Sequence, residues 1–562
     1  MARPAAAVFF QEDGFARSGP RIAGRAVSGH GFLKALAHAD PARPVVLYGD
    51  SLDQLDRFTA LQDRDPMAVP GQEVCWAQSF DDPRLRQAGA LHVHGLAKVT
   101  ELAWRRARGD DRAVSLIGLN HTISTHDAQD ALGAYLTAPV QPWDAIVCTS
   151  RASRAAIEQL FDDYGGYLAR RFGAARVPRP HLEVIPLGIW CDEYAVPAAK
   201  KARLRAQWRA RLGIADADPV ALHFGRLTHL GKAHPTAGFL ALQRARESLG
   251  RPVHLVLAGW FANDGIEDEY REAARRLCPD VRLHVLDGRD DAVRFSIWHA
   301  ADLFVSLSDT IQESFGITPL EAMAAGLPVL VSDWDGYRDT VPDGGPDGGE
   351  VGVRIPTLAP APGDGQALSD WYEDGMLGID GYEGFAALAT AVDAGRLETA
   401  LLDLLGAPDR LRAMGERAAA FARATVDWPV VLERHRALWA HLAEMRAAAP
   451  ESAPLPHPLR PDPFRQFAGH PTRALTPELR LSRRPDRSDT LVGDLSALSV
   501  HRFAEPVIGF TDVAQGVLAR LSAGDATVGE LTAGLQGPPR QQMVWTVGFL
   551  LKLGLIQAHP PC

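Results

Sequence analysis

Glu313 and Glu321, with seven residues between them, stand in the run QESFGITPLEAMAAGLPVLVSDWDGY (Gln312–Tyr337). Free backbone amides at a helix start favour an anion, and carboxylates beside them accept hydrogen bonds from hydroxyls. Gly316 permits close backbone approach, Thr318 is placed to cap, and Pro319 suits the first helical position. The combination points to a ligand bearing both phosphate and many hydroxyls, a nucleotide sugar. A structural role competes for Glu321, because Thr318-Pro319-Leu320-Glu321 also fits a capping box in which Glu321 reaches back to the Thr318 amide. The two carboxylate oxygens can serve different donors, so Glu321 is expected to do both, whereas Glu313 has no such structural alternative.

A second cluster is HFGRLTHLGKAHP (His223–Pro235). Here a strand ends at Arg226, and a glycine-containing turn delivers Lys232 just before a helix that Pro235 can begin. Strand ends in open α/β sheets face the ligand crevice, where a guanidinium and an ammonium could neutralise a leaving diphosphate. A third is GRAVSGHGFLKAL (Gly24–Leu36), in which Gly24, Gly29 and Gly31 are expected to form a flexible turn beside a phosphate or sugar. It is neither a dinucleotide fingerprint nor a P-loop. Among histidines at strand ends (His92, His94, His121), His121 is the strongest candidate, because it ends an apolar strand and adjoins Thr122.

The elements that must position these groups alternate short apolar runs with helical patterns, the signature of α/β architecture with parallel sheets. The first series of strands is Ala5–Phe10, Pro44–Gly49, Leu91–Gly95, Val114–His121, Trp143–Ser150 and Leu182–Ile189. The second is Val220–Arg226, Val253–Gly259, Val281–Gly288, Leu303–Ser308 and Pro328–Asp333. Two doubly wound sheets fit these better than one very wide sheet. Between them Lys200–Arg211 carries six basic residues and Trp208, which suits either a solvated linking helix or a membrane-surface helix. Pro342–Asp380, rich in Gly, Asp and Pro, is expected to be a long loop or insertion. Pro450–Pro485 holds nine prolines in 36 residues and reads as an extended linker.

With 562 residues the chain should form three or four domains. A net charge of −10 argues against a general nucleic-acid binder. Five scattered cysteines without metal-type spacing favour reduced thiols in a cytoplasm. With no secretory signal and no bilayer-spanning run, a cytoplasmic protein, at most peripheral to a membrane, is expected.

The motifs FGRL…GK (Phe224–Lys232), ESFGITPLEAMAAGLPVLVSD (Glu313–Asp333), CTSRASRAAI (Cys148–Ile157) and VIPLGI (Val184–Ile189) occur in an order that resembles the retaining glycosyltransferases of family four, which have the GT-B fold. The resemblance runs from about residue 1 to 445 and includes VDWPVVLERHRALW, which looks like that fold's closing helix. It implies two Rossmann-like domains facing a cleft: 1–198 on the acceptor side and 199–425 for the nucleotide sugar, with 426–446 packing back on the first domain. It also implies residue roles. Arg226 and Lys232 would hold the donor diphosphate, Glu321 the ribose, and Glu313 the transferred sugar, helped by amides around Ser314, Phe315, Gly316 and Ile317. His121 would lie near the reacting face, and the Gly24–Gly31 loop, with Gly29 and Gly31, would line the phosphate and acceptor side. No metal or other cofactor is implied, since cations and a helix start serve the diphosphate. Asp333 and Asp335 have metal-type spacing but read as a loop feature. Two departures from the family, Leu187 with Trp190 and Asp335-Gly336, lie beside the cleft and leave the donor's identity open.

After a linker (447–487), residues 488–562 form a small, mainly helical domain outside the family's usual extent. Helices are expected at Val513–Leu521, at Thr527–Leu535 with Thr527 and Glu530 as a capping box, and at Arg540–Leu553. The arrangement resembles a winged helix, and also the PqqD-type domains that bind a peptide. A peptide or protein partner and a mere packing or dimerisation role both fit. The leading expectation is a metal-independent retaining glycosyltransferase acting on an unidentified acceptor (glycan, lipid-linked, small molecule or peptide). The alternatives are a catalytically silent nucleotide-sugar sensor or scaffold signalling through the last domain, and a transcriptional regulator acting through it. Weak basic charge there argues against DNA.

Overall fold

The computed structural model describes residues 5–17, 24–345, 348–487, 492, 498–504, 507–509 and 512–559. The chain divides into two compact units, Met1–His457 and Pro458–Cys562. The first contains two parallel sheets. One is built from β1 (Ala7–Phe9), β2 (Val45–Tyr48), β3 (Val74–Ala77), β4 (Ala90–Val93), β5 (Ser115–Leu119), β6 (Ala145–Cys148) and β7 (His181–Val184) in the order β3-β2-β1-β4-β5-β6-β7. The other uses β8 (Val220–Leu227), β9 (His254–Phe261), β10 (Arg282–Asp287), β11 (Leu303–Ser306), β12 (Val329–Ser332) and β13 (Gly352–Ile355) in the order β10-β9-β8-β11-β12-β13. These are two Rossmann-like halves of the GT-B type, each reversing its winding direction beside its first strand. Central strands such as AIVC of β6 and VLVS of β12 are apolar throughout because helices cover both faces of the sheet.

Both halves are closed by helices that the sequence pattern anticipates. Helix Trp428–Ala448 returns to the first sheet, where its indole lies against Gly31 and Gly188 and Arg446 donates to Ser115 Oγ at 2.7 Å. The basic helix Ala198–Leu212 packs on the second half: Trp208 and Arg209 are buried, and Arg209 Nη2 pairs with Asp302 at 2.7 Å. Trp208, the aromatic anchor a membrane-surface helix would have offered, is thus committed to the protein's own packing. No helix among the described residues is long and apolar enough to cross a membrane.

Residues 342–380, expected to be a long loop or insertion, are an insertion with elements of its own rather than a plain loop. They contain β13, β14 (Thr357–Leu358) and the helix Gln366–Glu373; a second helix, Ile379–Ala389, follows. β14 then pairs antiparallel with β15 (Ala391–Val392) to close the insertion.

In the second unit β16 (Arg480–Arg483) lies between β17 (Ala526–Thr527) and β18 (Ile556–His559), antiparallel to both. The middle strand thus comes from the segment read as extended linker. Helices Asp512–Ser522, Val528–Leu531 and Gly537–Lys552 pack on this sheet through Leu481, Val517, Leu521, Val547 and Leu550. Thr527 and Glu530 form the expected capping box, but the helix stops at Leu531, four residues short of the expected end. The start of the expected final domain (488–491) and Cys562 lie outside the described residues.

Candidate functional site

β8 delivers Arg226 at its C-terminal end, and the following turn brings Lys232 back across the rim. Arg226 Nη2 donates to Gln312 Oε1 at 2.7 Å and to the Gly231 carbonyl at 3.4 Å. Both of these acceptors are neutral, so neither cancels the guanidinium's charge. Lys232 Nζ pairs with Glu313 Oε2 at 3.1 Å, and the Lys232 carbonyl accepts from Ser308 Oγ at 3.0 Å. The cations thus sit at the C-terminal end of β8 and on the turn after it, with Gln312 and Glu313 on the loop after its neighbour β11. Because β9 flanks β8 on the other side, this is the sheet's topological switch point, where open α/β sheets bind ligands.

The loop then turns sharply into helix Ile317–Ala324. Gly316 has φ 86°, and a Cβ there would stand 2.0 Å from the Tyr337 ring, so backbone and packing both require glycine. Gly316, not Thr318, is the N-cap, and no side chain caps the helix. The expected capping box is therefore absent: the helix starts two residues earlier, which places Thr318 and Pro319 inside its first turn. Its leading amides remain available to a ligand. Glu321 instead accepts from the Tyr194 hydroxyl at 2.6 Å and is 6% exposed. Burial raises its carboxyl above the usual range, and the tyrosine hydrogen bond opposes this.

Across the cleft the first half supplies His121, after β5. Its carbonyl accepts from Ser314 Oγ at 2.9 Å, and Thr149 Oγ1 donates to the Ser314 carbonyl at 3.1 Å. The His121 ring lies 4.5 Å from that of His94, and its Nε2 has no partner among the described residues. Burial, aided by the Arg25 charge, lowers the imidazole to about 3, so the ring is neutral at any ordinary pH. A 470 Å³ cavity opens beside it, lined by Phe15, Arg25, His94, Lys98, His121 and Asp127.

The expectation for Gly29 and Gly31 is overturned. Both are buried inside helix Gly24–Ala39, not in a flexible turn. A Cβ on Gly29 would lie 2.0 Å from the Gly14 carbonyl oxygen, and one on Gly31 2.2 Å from Trp428 Nε1. They are small because other backbone and a tryptophan press on them. Gly24 does approach the second half, with Ile317 Cδ1 3.8 Å from where its Cβ would stand.

Tyr194 and Glu383 carry no motif signal, whereas Asp335 is the residue that departs from the family pattern beside the cleft. Tyr194 reaches Glu321 from a short helix after β7. Asp335, the described non-glycine residue with positive φ (41°), accepts from Ser150 Oγ at 3.1 Å. Burial and the nearby Glu313 charge lift its carboxyl to about 7. With Glu313, Trp334, Tyr382 and Ser124 it lines a 520 Å³ cavity between the halves. Asp333 pairs with Arg354 at 3.0 Å, so the Asp-x-Asp spacing is split between two different partners. Glu383, on the insertion helix Ile379–Ala389, accepts from Ser124 Oγ at 2.7 Å.

The arrangement is thus two cations, a carboxylate and an uncapped helix start on one wall, with a neutral imidazole on the other. Residues 205–352 match the family model of the group 1 glycosyl transferases. That stretch contains Arg226, Lys232, Glu313, Glu321 and five of the six strands of the second sheet. A D-inositol 3-phosphate glycosyltransferase of Nocardia farcinica is 28% identical over 268 residues, 47% of this chain and 46% of its own length. A phosphatidyl-myo-inositol mannosyltransferase of Mycobacterium leprae is 38% identical over 106 residues, 19% of this chain and 25% of its own. The chain spans less than half the length of these curated relatives. Anabaena HepE in complex with UDP superposes with a TM-score of 0.47 at 16% identity, over 79% of this chain and 100% of HepE.

Proposed function

We propose that the chain is a retaining glycosyltransferase that moves a sugar from a nucleoside-diphosphate sugar to an acceptor hydroxyl. The observation that carries this reading is the convergence of Arg226, Lys232, Glu313 and the uncapped start of helix Ile317–Ala324 at one switch point. The diphosphate would lie against Arg226, Lys232 and the amides of Ile317 and Thr318, which need no metal to neutralise the departing charge. Glu321 would accept from the ribose through an oxygen that Tyr194 leaves free, and Glu313 from a hydroxyl of the transferred sugar. His121 would face the reacting carbon as a neutral hydrogen-bonding group. With no enzymatic nucleophile assigned, retention would follow from front-side displacement, in which the leaving phosphate oxygen takes the acceptor's proton. The acceptor would enter from the cavity beside Arg25 and His121. The group 1 match over 205–352 supports the donor half of the reading, and the relatives' names make sugars and polyols reasonable first acceptors to try. The second unit would bind a peptide or serve as a packing appendage.

A panel of nucleotide sugars, with and without EDTA, tests this directly. Slow donor hydrolysis or transfer detected by intact mass, insensitive to EDTA and lost in Arg226→Ala, is the expected outcome, and the anomeric configuration of the product reports retention. Tight binding without turnover would instead leave a nucleotide-sugar sensor.

A further inference from the structure

The insertion does more than decorate the second half. Its helix Ile379–Ala389 lies directly on the turn that carries Lys232: a Cβ on Gly384 would stand 2.8 Å from Leu230 Cδ2. A Cβ on Gly231 would stand 3.0 Å from Glu383 Oε2 and 3.3 Å from both Arg226 Nη2 and Gln312 Oε1. The Glu383 carboxylate and the Arg226 guanidinium therefore flank the same point of the rim. Glu383 is 1% exposed, and its other oxygen is taken by Ser124 on the loop after β5 of the opposite half. Just beyond Ser124 on that rim, the next anchor is aromatic. His126 stacks on Tyr372 at 3.7 Å, and Tyr372 stacks on Tyr382 at 4.7 Å. The insertion thus crosses from the cation loop to the first half and ties down at both ends.

Its charge is one-sided. Asp364, Asp370, Glu373, Asp374, Asp380 and Glu383 lie between Arg354 and Arg396 with no lysine or arginine among them. A carboxylate at the edge of a cation pair repels an incoming diphosphate at close range, and burial strengthens that repulsion.

We propose that Glu383 belongs to the donor-phosphate subsite as a charge gate, holding the insertion across the cleft through Ser124 until a nucleoside diphosphate claims Arg226 and Lys232. This rests on the reading of that rim as the donor-phosphate site. The diphosphate and Glu383 compete for the same cations, so donor entry requires the insertion to shift and the Ser124 bond to break. The gate selects against weakly charged ligands, because only a group carrying more than one negative charge outcompetes a carboxylate already in place.

The test uses the full chain and calorimetric titration with UDP, GDP and ADP, each beside its nucleoside. Glu383→Gln keeps an acceptor for Ser124 but removes the charge. It should tighten the best-binding diphosphate about tenfold and leave the nucleoside unchanged. Ser124→Ala frees the carboxylate without removing it, and should shift diphosphate affinity the same way by a smaller factor. Amide exchange over 366–389 should quicken when diphosphate binds the wild type. Equal or weaker diphosphate binding by a folded Glu383→Gln overturns the gate while leaving the donor site standing. If that variant does not fold, Ser124→Ala takes its place, and equal or weaker diphosphate binding there overturns the gate in the same way. Failure of every diphosphate to bind wild type and variants alike removes the donor-site reading, and the gate with it.

Discussion

Tyr194 and Glu321 share one short hydrogen bond inside apolar surroundings, and the two substitutions that disturb it should separate stability from binding. Tyr194→Phe leaves a buried carboxylate without its donor and should cost about 1–3 kcal/mol in urea unfolding. Glu321→Gln retains an acceptor for the hydroxyl and should unfold near the wild type. If Glu321 holds the ribose, the same variant should lose about tenfold in nucleotide affinity by calorimetry. Full affinity in Glu321→Gln would confine Glu321 to packing. Buried histidines set the acid limb of stability. Burial holds His435 down to about 3, and His121 likewise, against about 6.5 in an unfolded chain. Between those values the unfolded chain binds more protons, so their contribution is complete above about pH 6.5 and is lost toward pH 3. Each adds a slope of up to about 1.4 kcal/mol per unit. His435→Phe should flatten urea midpoints measured from pH 4 to 6.5. Asp309 acts in the opposite sense. Burial lifts it to about 7, so its contribution is present below about pH 4 and fades as pH rises through 7. Relative to wild type, Asp309→Asn should gain stability across that same interval.

At the scale of elements, the closing helix depends on a glycine in its partner. Gly31→Ala would put a methyl group onto the Trp428 indole, and the expected cost is about 1–3 kcal/mol with a changed tryptophan emission. A wild-type melting point and spectrum would mean the helix can slide aside without penalty. The same residue shows where sequence reading falls short. Three glycines in eight residues look like a flexible turn when only local conformational preference is considered, yet the small volume of two of them serves a distant tryptophan and a neighbouring backbone. The capping box at Thr318 fails for a related reason. Gly316 takes the left-handed conformation and starts the helix first, whereas at Thr527, with no such competitor, the box forms as spaced. Most strands up to β12 were legible, most plainly those such as β6 and β12, where burial on both faces leaves an unbroken apolar run. β3 and β13 were not: VCWA alternates in burial, and GVRI is only half covered in a stretch dominated by Gly and Asp. Arg226, Lys232 and Glu313 could be placed together because strand ends of one sheet converge whatever the side-chain detail. Tyr194 and Glu383 could not, since each reaches the site from an element whose position depends on tertiary packing.

At the scale of the molecule, the boundary after His457 predicts that residues 1–457 alone retain the wild-type response to nucleotide. Calorimetry of that fragment beside the full chain checks this, and weaker binding by the fragment would give the second unit a part in the site. Within the first unit, the helix that completes the first sheet's packing is made from residues 428–448, more than two hundred residues after β7. The consequence concerns synthesis. The surface around Phe32, Gly31 and Gly188 leaves the ribosome long before Trp428 exists to cover it. Through the translation of the whole second half, at about 5–20 residues per second, a nascent chain carries that apolar face uncovered, so chaperones should find it there.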